Sequence, residues 1–416
     1  MKDRWLRMYG KAAEKEDFNS EILLGFNANI DISTRFKDTD IDLEDVKPEE
    51  MRKISSFEDL KKVLKYVRDC DTNIEVDSRS FDPEIDGEEQ IGGQAGIMSN
   101  FLTGLGHTSV IYTPFLSTEL AEKLDEKVLY PEVEDSLKLK RTEDAVNSDR
   151  TKKNYIIEFE EESRRLILSD SLRGFGPYFR KGVEDRFSQL QEEIDRAILS
   201  GFHDAEGNFK SKIRKAEKQL RKLHIPKHLE FVSSSQDRDK AIMEELLPYF
   251  TSVGLDSSEL VKAADIMGEE VEDEPSLGEA YSVSKKLIEE YGVKRVHVHT
   301  KEFQSVVTDG DYGVRDKKMR ESLLYAGIAA ASMAETGGIP EKEDVELERE
   351  NMHVRKLDEL EHFEDFFGLE DFTETGIARP EGYKVVAVPT LIHEEPKRLV
   401  GMGDIISSGA FTAEIN

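Results

Sequence analysis

The sequence predicts an α/β fold: a doubly wound, mostly parallel sheet with helices on both faces, plus a smaller α/β lid domain inserted in two segments. Three observations carry this. Short continuous apolar runs alternate with helically periodic segments along most of the 416 residues, the pattern of strands buried on both faces. The chain is longer than one ordinary core fills, so a second domain or an inserted lid is expected. Two stretches, 36–91 and 116–178, break the alternation.

The predicted strands lie at 22–27, 109–113, 197–201, 228–233, 295–300 and 385–389, several of them brief apolar runs. Between them, 237–250 carries Ile242, Met243, Leu246 and Leu247 at helical spacing, and 277–291 reads the same way. Segment 322–335 is helical and rich in small residues, so it packs closely inside. These alternations are the sequence form of βαβ units. In the first break, only 57–70 is helical; the second mixes helix with β-like runs at 154–159 and 165–169. Read together they form the lid, 36–91 plus 116–178, leaving 1–35, 92–115 and 179–416 to the large domain. The charge run at 341–350 reads as solvated surface.

Composition narrows the function. Asp plus Glu number 88 against 58 Lys plus Arg, a net charge of −30. Such a surface repels nucleic acid and anionic membrane, so neither is an expected partner. The acid is spread along the chain, which fits a folded protein adapted to high intracellular salt, where screening shortens repulsion to a few Å. No apolar run is long enough to span a bilayer, and the N-terminus lacks a signal-peptide core. Cys70 is the sole cysteine, which excludes an intrachain disulfide and a cysteine-rich zinc site. A cytoplasmic protein is expected.

The chemistry concentrates in Gly401-Met-Gly-Asp404. Gly401 and Gly403 allow a tight turn, and a helical run follows. A turn feeding a helix start aims several N–H groups at one spot, where the helix dipole also favours an anion. A carboxylate there can take a proton from an attacking hydroxyl. These are the parts a small-molecule kinase needs, since phosphoryl transfer is mostly positioning and charge stabilisation. The plainer reading is a helix start with Asp404 as N-cap. Other segments are placed to converge beyond the carboxyl ends of the strands: Gly25-Phe-Asn-Ala-Asn-Ile-Asp31, Ile91-Gly-Gly-Gln-Ala-Gly-Ile-Met-Ser-Asn100, His228-Leu-Glu230, Asp256-Ser-Ser-Glu259 and Val388-Pro-Thr390.

With Tyr112-Thr-Pro-Phe-Leu-Ser117, Ile198-Leu-Ser-Gly-Phe202, Ser252-Val-Gly254 and Val296-His-Val-His-Thr300, these motifs run collinearly through the chain. In that order the chain resembles the archaeal ADP-dependent sugar kinases of the ribokinase-like superfamily. The resemblance implies a ribokinase-like large domain with a small lid, and transfer of phosphate from ADP to give AMP. It implies Asp404 as catalytic base, with Gly401 and Gly403 in the anion hole. It assigns Glu230 and Glu259 to the acidic residues that organise Mg²⁺. Asn29, Asp31, Gly93, Gln94 and His203 match positions facing the acceptor sugar. Glu88 or Glu89 matches a glutamate linked to glucose use. Lys152, Lys153, Arg173 and Arg180 are candidates to hold a sugar phosphate. Val388, Pro389 and Thr390, with Gly401, Met402 and Gly403, fall on the nucleotide side. Two positions depart from the family pattern: Asp256 stands where Asn is common and Ile405 where Thr is common.

The expected acceptors are fructose 6-phosphate, glucose or both, and the phosphofructokinase branch is the nearer match. The expected assembly is a monomer or small homo-oligomer. Two other readings stay open at this point: an ATP-dependent ribokinase-type kinase, and a sugar- or nucleotide-binding regulator without turnover. The bland roles also stand beside the sharp ones. His228 reads as a core histidine more readily than a metal ligand. Glu259 can cap a helix, and Asn29 with Asp31 can close an Asx turn.

Overall fold

The computed structural model describes residues 1–14, 19–70, 74–78, 81–159, 164–169, 172–347, 351–398 and 400–415. Its backbone is an 11-stranded sheet and a 5-stranded sheet, each with its own apolar core. In the large sheet, Thr108–Tyr112, Glu21–Gly25, Arg196–Leu199, Lys227–Glu230, Ser252–Asp256 and Arg295–His299 run parallel, in that spatial order. Phe303–Thr308 then turns the sheet antiparallel and pairs with Lys384–Pro389. The parallel strands are buried on both faces; Glu21–Gly25 and Arg196–Leu199 are largely apolar, whereas Lys227–Glu230, Ser252–Asp256 and Arg295–His299 also bury polar side chains.

The helices end where local chemistry dictates. Asp256 and Ser276 begin Ser257–Met267 and Leu277–Tyr291 through reciprocal capping boxes with Glu259 and Glu279. The run 237–250 is divided: Gln236–Glu245 is α-helical and Leu247–Tyr249 is a 3₁₀ turn, because Pro248 cannot supply an interior N–H. The small-residue helix, Asp316–Thr336, packs against the C-terminal helix Met402–Ala413. A Cβ at Gly409 would already lie 3.4 Å from that of Ala326, so the small side chains set the approach.

The second sheet has the order Ile74–Asp77, Arg164–Ser169, Lys153–Phe159, Asn29–Arg35, Glu88–Gly92. Helix Phe57–Cys70 lays Leu60, Val63, Leu64 and Val67 on one face of it. Those side chains recur at helical spacing and so form a single stripe.

This arrangement corrects the segment boundaries read from sequence. Residues 29–35 belong to the small sheet, although they follow a large-sheet strand by only a few residues. The alternation of Asn29, Asp31 and Ser33 with Ile30 and Ile32 is that of a half-buried strand. Conversely, Leu129–Val133 and Leu137–Arg141 extend the edge of the large sheet and are no part of the lid sheet. Their alternating, charged pattern is an edge-strand signal. Within the charge run, Lys342–Asp344 is a 3₁₀ turn, and 348–350 lie outside the described residues. Among the described residues, no helix is long and apolar enough to cross a membrane.

Candidate active site

A cavity of about 220 Å³ opens between the free face of the small sheet and the carboxyl ends of the large one. Its lid wall follows from the period-two alternation of strands: Asn29, Asp31, Asn154, Ile156, Ile167 and Glu75 share one face. Gly93 and Gln94 enter where the strand Glu88–Gly92 turns into helix Gln94–Gly104. His203 and Asp204 come from the loop after Arg196–Leu199, and Gly401 and Asp404 from the start of the C-terminal helix. Asn29, Asp31, Gly93, Gln94, Lys152, His203, Gly401 and Asp404, all singled out in the sequence, line this one space.

The helix start settles one of the plainer readings. Gly401, at φ +88°, is the N-cap, and Asp404 is the third helical residue, not the cap. The N–H groups of Met402, Gly403 and Asp404 therefore have no intrahelical acceptor. Gly403 is needed for room: a Cβ there would sit 3.1 Å from His299 Cε1. The Asp404 carboxyl is pushed up to about 7, chiefly by loss of solvation and then by the charge of Asp31, with Arg398 opposing.

Across the cavity, Asp31 accepts from Asn29 Nδ2 at 2.6 Å and from Asn154 Nδ2 at 3.2 Å. Burial raises its pKa despite these bonds. Lys152 donates to Asp204 at 2.7 Å. Burial alone would lower the lysine, but Asp204 outweighs it, and Lys152 in turn holds Asp204 down at about 2. Asn27 donates to Gln94 Oε1 at 2.8 Å and accepts from Lys152.

Behind Asp404 lies a buried acidic group. Glu230 is raised well above the usual carboxylate range by burial, then by the charges of Asp404 and Glu259. Glu259 is raised likewise by burial and Asp256. Glu230 lies 3.1 Å from His228 Nε2 and 4.0 Å from His299 Nε2, and burial keeps both rings in the neutral form. No cationic side chain pairs with Glu230 or Glu259 among the described residues. Glu259 also accepts the Asp256 N–H at 2.9 Å, so its capping role is real and one of its oxygens is engaged. No group of three His, Cys, Asp or Glu side chains converges in ligating geometry among the described residues.

Several predicted residues lie elsewhere. Glu89 pairs with Lys123 and Lys153 on the far face of the small sheet, while Glu88, like Gln90, shares the face of Asp31. Both glutamates are exposed and outside the cavity lining. Arg173 is exposed, its carbonyl accepting from Arg150, and Arg180 donates to Pro114 O and Asn147 Oδ1. The four proposed cations thus form no clamp in the cavity. Val388 and Pro389 are buried in the large sheet, and Thr390 Oγ1 bonds Thr300 O. Val388 therefore offers no surface to an adenine ring.

Sequence reading missed Asn27, Glu75, Asn154, Asp204 and Arg398. Arg398 has its Nε on Val400 O at 3.0 Å and a buried Nη2 with no hydrogen-bond partner among the described residues. Its charge acts on Asp31, Glu88 and Asp404. Its place just before the Gly-x-Gly-Asp turn was the available signal.

Comparison with known proteins gives the family. The sequence model of the ADP-specific phosphofructokinase/glucokinase conserved region matches residues 20–413. The chain is 31% identical to an ADP-dependent glucose/glucosamine kinase of Pyrococcus abyssi, over 79% of this chain and 76% of that one. It is also 31% identical to an ADP-specific phosphofructokinase of Pyrococcus furiosus, over 79% and 78%. A solved ADP-dependent kinase in complex with fructose 6-phosphate and ADPβS superposes with a TM-score of 0.83 at 27% identity, covering 99% of this chain and 97% of that one. The fold and cavity define a small-molecule kinase. The chain belongs to the ADP-specific phosphofructokinase/glucokinase family.

Proposed function

We propose that this kinase transfers the β-phosphate of ADP, bound with Mg²⁺, to a hydroxyl of fructose 6-phosphate, of glucose or of both, releasing AMP. The observation that carries the reading is the shared cavity. Gly401 and Asp404, the cap and third residue of the C-terminal helix, line the same space as the polar wall built from Asn29, Asp31 and Asn154. In this reading the lid wall orients the acceptor hydroxyls, and Lys152 with Asp204 adds a donor and an acceptor. Asp404, poised near 7, takes the proton of the attacking hydroxyl. The helix-start amides take up charge on the phosphoryl oxygens, and the charge of Arg398 acts on Asp404.

Mg²⁺ fits the acidic group. Glu230 and Glu259 are buried carboxylates that repel one another and pair with no cationic side chain among the described residues, a repulsion that a divalent ion would relieve. Mg²⁺ keeps several waters and phosphate oxygens, so one or two protein carboxylates suffice. Bound there, it would neutralise charge on the phosphates.

Identity is equal to the two named kinds of relative, so it does not select the acceptor. Of the two glutamates, Glu88 is the one on the cavity's face of the lid sheet, and it is the candidate for contact with a closed-in sugar. A sugar phosphate would need Arg173, Arg180 or Arg398 brought to it by closure. In this reading the adenine lies past the strand ends near Thr390 and Met402, since Val388 is fully buried.

The test is AMP release from Mg·ADP in molar KCl, with each sugar supplied separately and ATP as the competing donor. AMP with one sugar names the branch, and AMP with both makes the enzyme bifunctional. A folded protein giving no AMP with either, or turning over ATP instead, would overturn the reading.

A further inference from the structure

Behind Glu230 the large sheet buries a line of polar side chains that the phosphoryl transfer does not use directly. His228 Nε2 lies 3.1 Å from Glu230 Oε2, and its Nδ1 lies 2.9 Å from Ser252 Oγ. Arg295 Nη1 donates to the same Ser252 Oγ at 3.0 Å. Glu414 then accepts from Arg295 Nε at 3.0 Å and lies 2.9 Å from its Nη2. Tyr312 donates its hydroxyl to the other Glu414 oxygen. His228, Ser252 and Arg295 have no solvent exposure at all.

The chemistry of the groups gives this line one direction. A guanidinium has donors only, so Ser252 Oγ must accept from Arg295. Its own hydroxyl proton is then free to go to His228 Nδ1. A neutral ring has one N–H, which falls on Nε2 and points at Glu230. The sheet fixes the spacing: His228 and Ser252 are register partners, as are Ser252 and Arg295. Gly254 leaves the room, since a Cβ there would lie 2.6 Å from Glu230 Oε2 and 2.8 Å from His228 Nε2. Glu414 sits just past the end of the helix whose first turn carries Asp404. That helix is thus anchored at its far end to the strand Arg295–His299.

We propose that Ser252, Arg295 and Glu414 are positioning residues that act through His228, fixing its Nε2–H tautomer so that Glu230 is held toward the metal-nucleotide. The inference rests on the proposed role of Glu230 and deepens it. Outer-sphere partners of this kind set the orientation and basicity of a ligating group, and losing one costs about tenfold or more in metal affinity.

The experiment is ¹⁵N NMR of the histidine rings in the full-length protein, with His228→Gln to assign the signal, beside calorimetric titration of Mg·ADP, metal-free ADP and sugar. In the wild type, His228 is expected to show a protonated Nε2 and a bare Nδ1. Ser252→Ala is expected to lose that single-tautomer signature and to bind Mg·ADP about tenfold more weakly. Metal-free ADP and sugar should bind within twofold of wild type. A protonated Nδ1 in the wild type overturns the proposal, and needs no variant to fold. So does a folded Ser252→Ala that keeps both the tautomer and the Mg·ADP affinity. A wild type that shows the expected tautomer but makes no AMP would sink the proposed function and not the hydrogen-bond line.

Discussion

The carboxyl of Asp404 is opposed by the charge of Asp31, which reaches the same cavity from the other sheet. With desolvation, that repulsion brings Asp404 close to neutrality, where a base is most useful. The acid limb of kcat/KM is therefore expected to fall with an apparent pKa near 7. Replacing Asp31 with Asn removes the repulsion, so the limb should move to lower pH. A pH profile of both proteins checks this; an unchanged limb would mean Asp404 is not the titrating base.

Asp404 also trades stability for function. Its folded pKa lies above its unfolded one, so the folded state favours the protonated form. The stability this gives is fully present at low pH and is lost as pH rises through about 7. At pH 8 the ionised carboxyl costs on the order of 2–4 kcal/mol. Asp404→Asn should then melt several degrees higher than wild type at pH 8, with the difference shrinking through pH 5 and gone below about pH 4. Turnover should drop by roughly 10²–10⁴-fold while ADP still binds. A variant that turns over normally would remove Asp404 from the mechanism.

Much of this was legible in the sequence because the signals were local. Gly401 and Gly403 before an apolar helical run specify a turn and a helix start, and several of the buried parallel strands announce themselves as apolar runs. The lid boundary was not legible, because membership of a sheet is decided by hydrogen-bonded neighbours far away in sequence. Asn29–Arg35 continues the chain from one sheet into another with hardly a break. The Lys152–Asp204 pair was hidden for the same reason: the two residues are distant in the chain and meet only through the fold. Arg398 carries its signal only once Asp404 is known to be the centre.

Lys152 is buried and Asp204 largely so, each with the other as charge partner. Removing one leaves a buried charge uncompensated, which costs about 3–5 kcal/mol. Lys152→Met is expected to lower the denaturation midpoint by that amount and to raise the KM for sugar. Lys152→Met with Asp204→Asn should recover much of the stability but not the sugar affinity. Equal losses in single and double variants would show that the pair is not the source of the cost.

The net charge of −30 makes self-repulsion the main surface term. At 1 M salt the screening length is about 3 Å, against about 10 Å at 0.1 M. Thermal denaturation in KCl from 0.1 to 2 M is expected to move the midpoint up by several degrees. Most of the rise should come before 1 M, where screening is gained fastest. A flat or falling midpoint would argue that the acid excess is no adaptation to salt.

The last prediction separates the two glycines of the turn. Gly401 sits at φ +88°, where a side chain costs roughly 1–2 kcal/mol, and a Cβ would also lie 3.1 Å from Ile97 Cδ1. Gly401→Ala must therefore shift the turn and with it the free amides. A misplacement approaching 1 Å costs about 10²-fold in rate, so kcat should fall by 10–100-fold with the KM for sugar unchanged. Gly403 has ordinary helical geometry and fails only on space, against the edge of the His299 ring. That ring makes no hydrogen bond through Nε2 and can yield by a few tenths of an ångström. Gly403→Ala should then keep more activity than Gly401→Ala, and His299→Ala should restore part of the Gly403→Ala loss. If Gly401→Ala keeps kcat within twofold of wild type, the amides it positions do not hold the transferred phosphate.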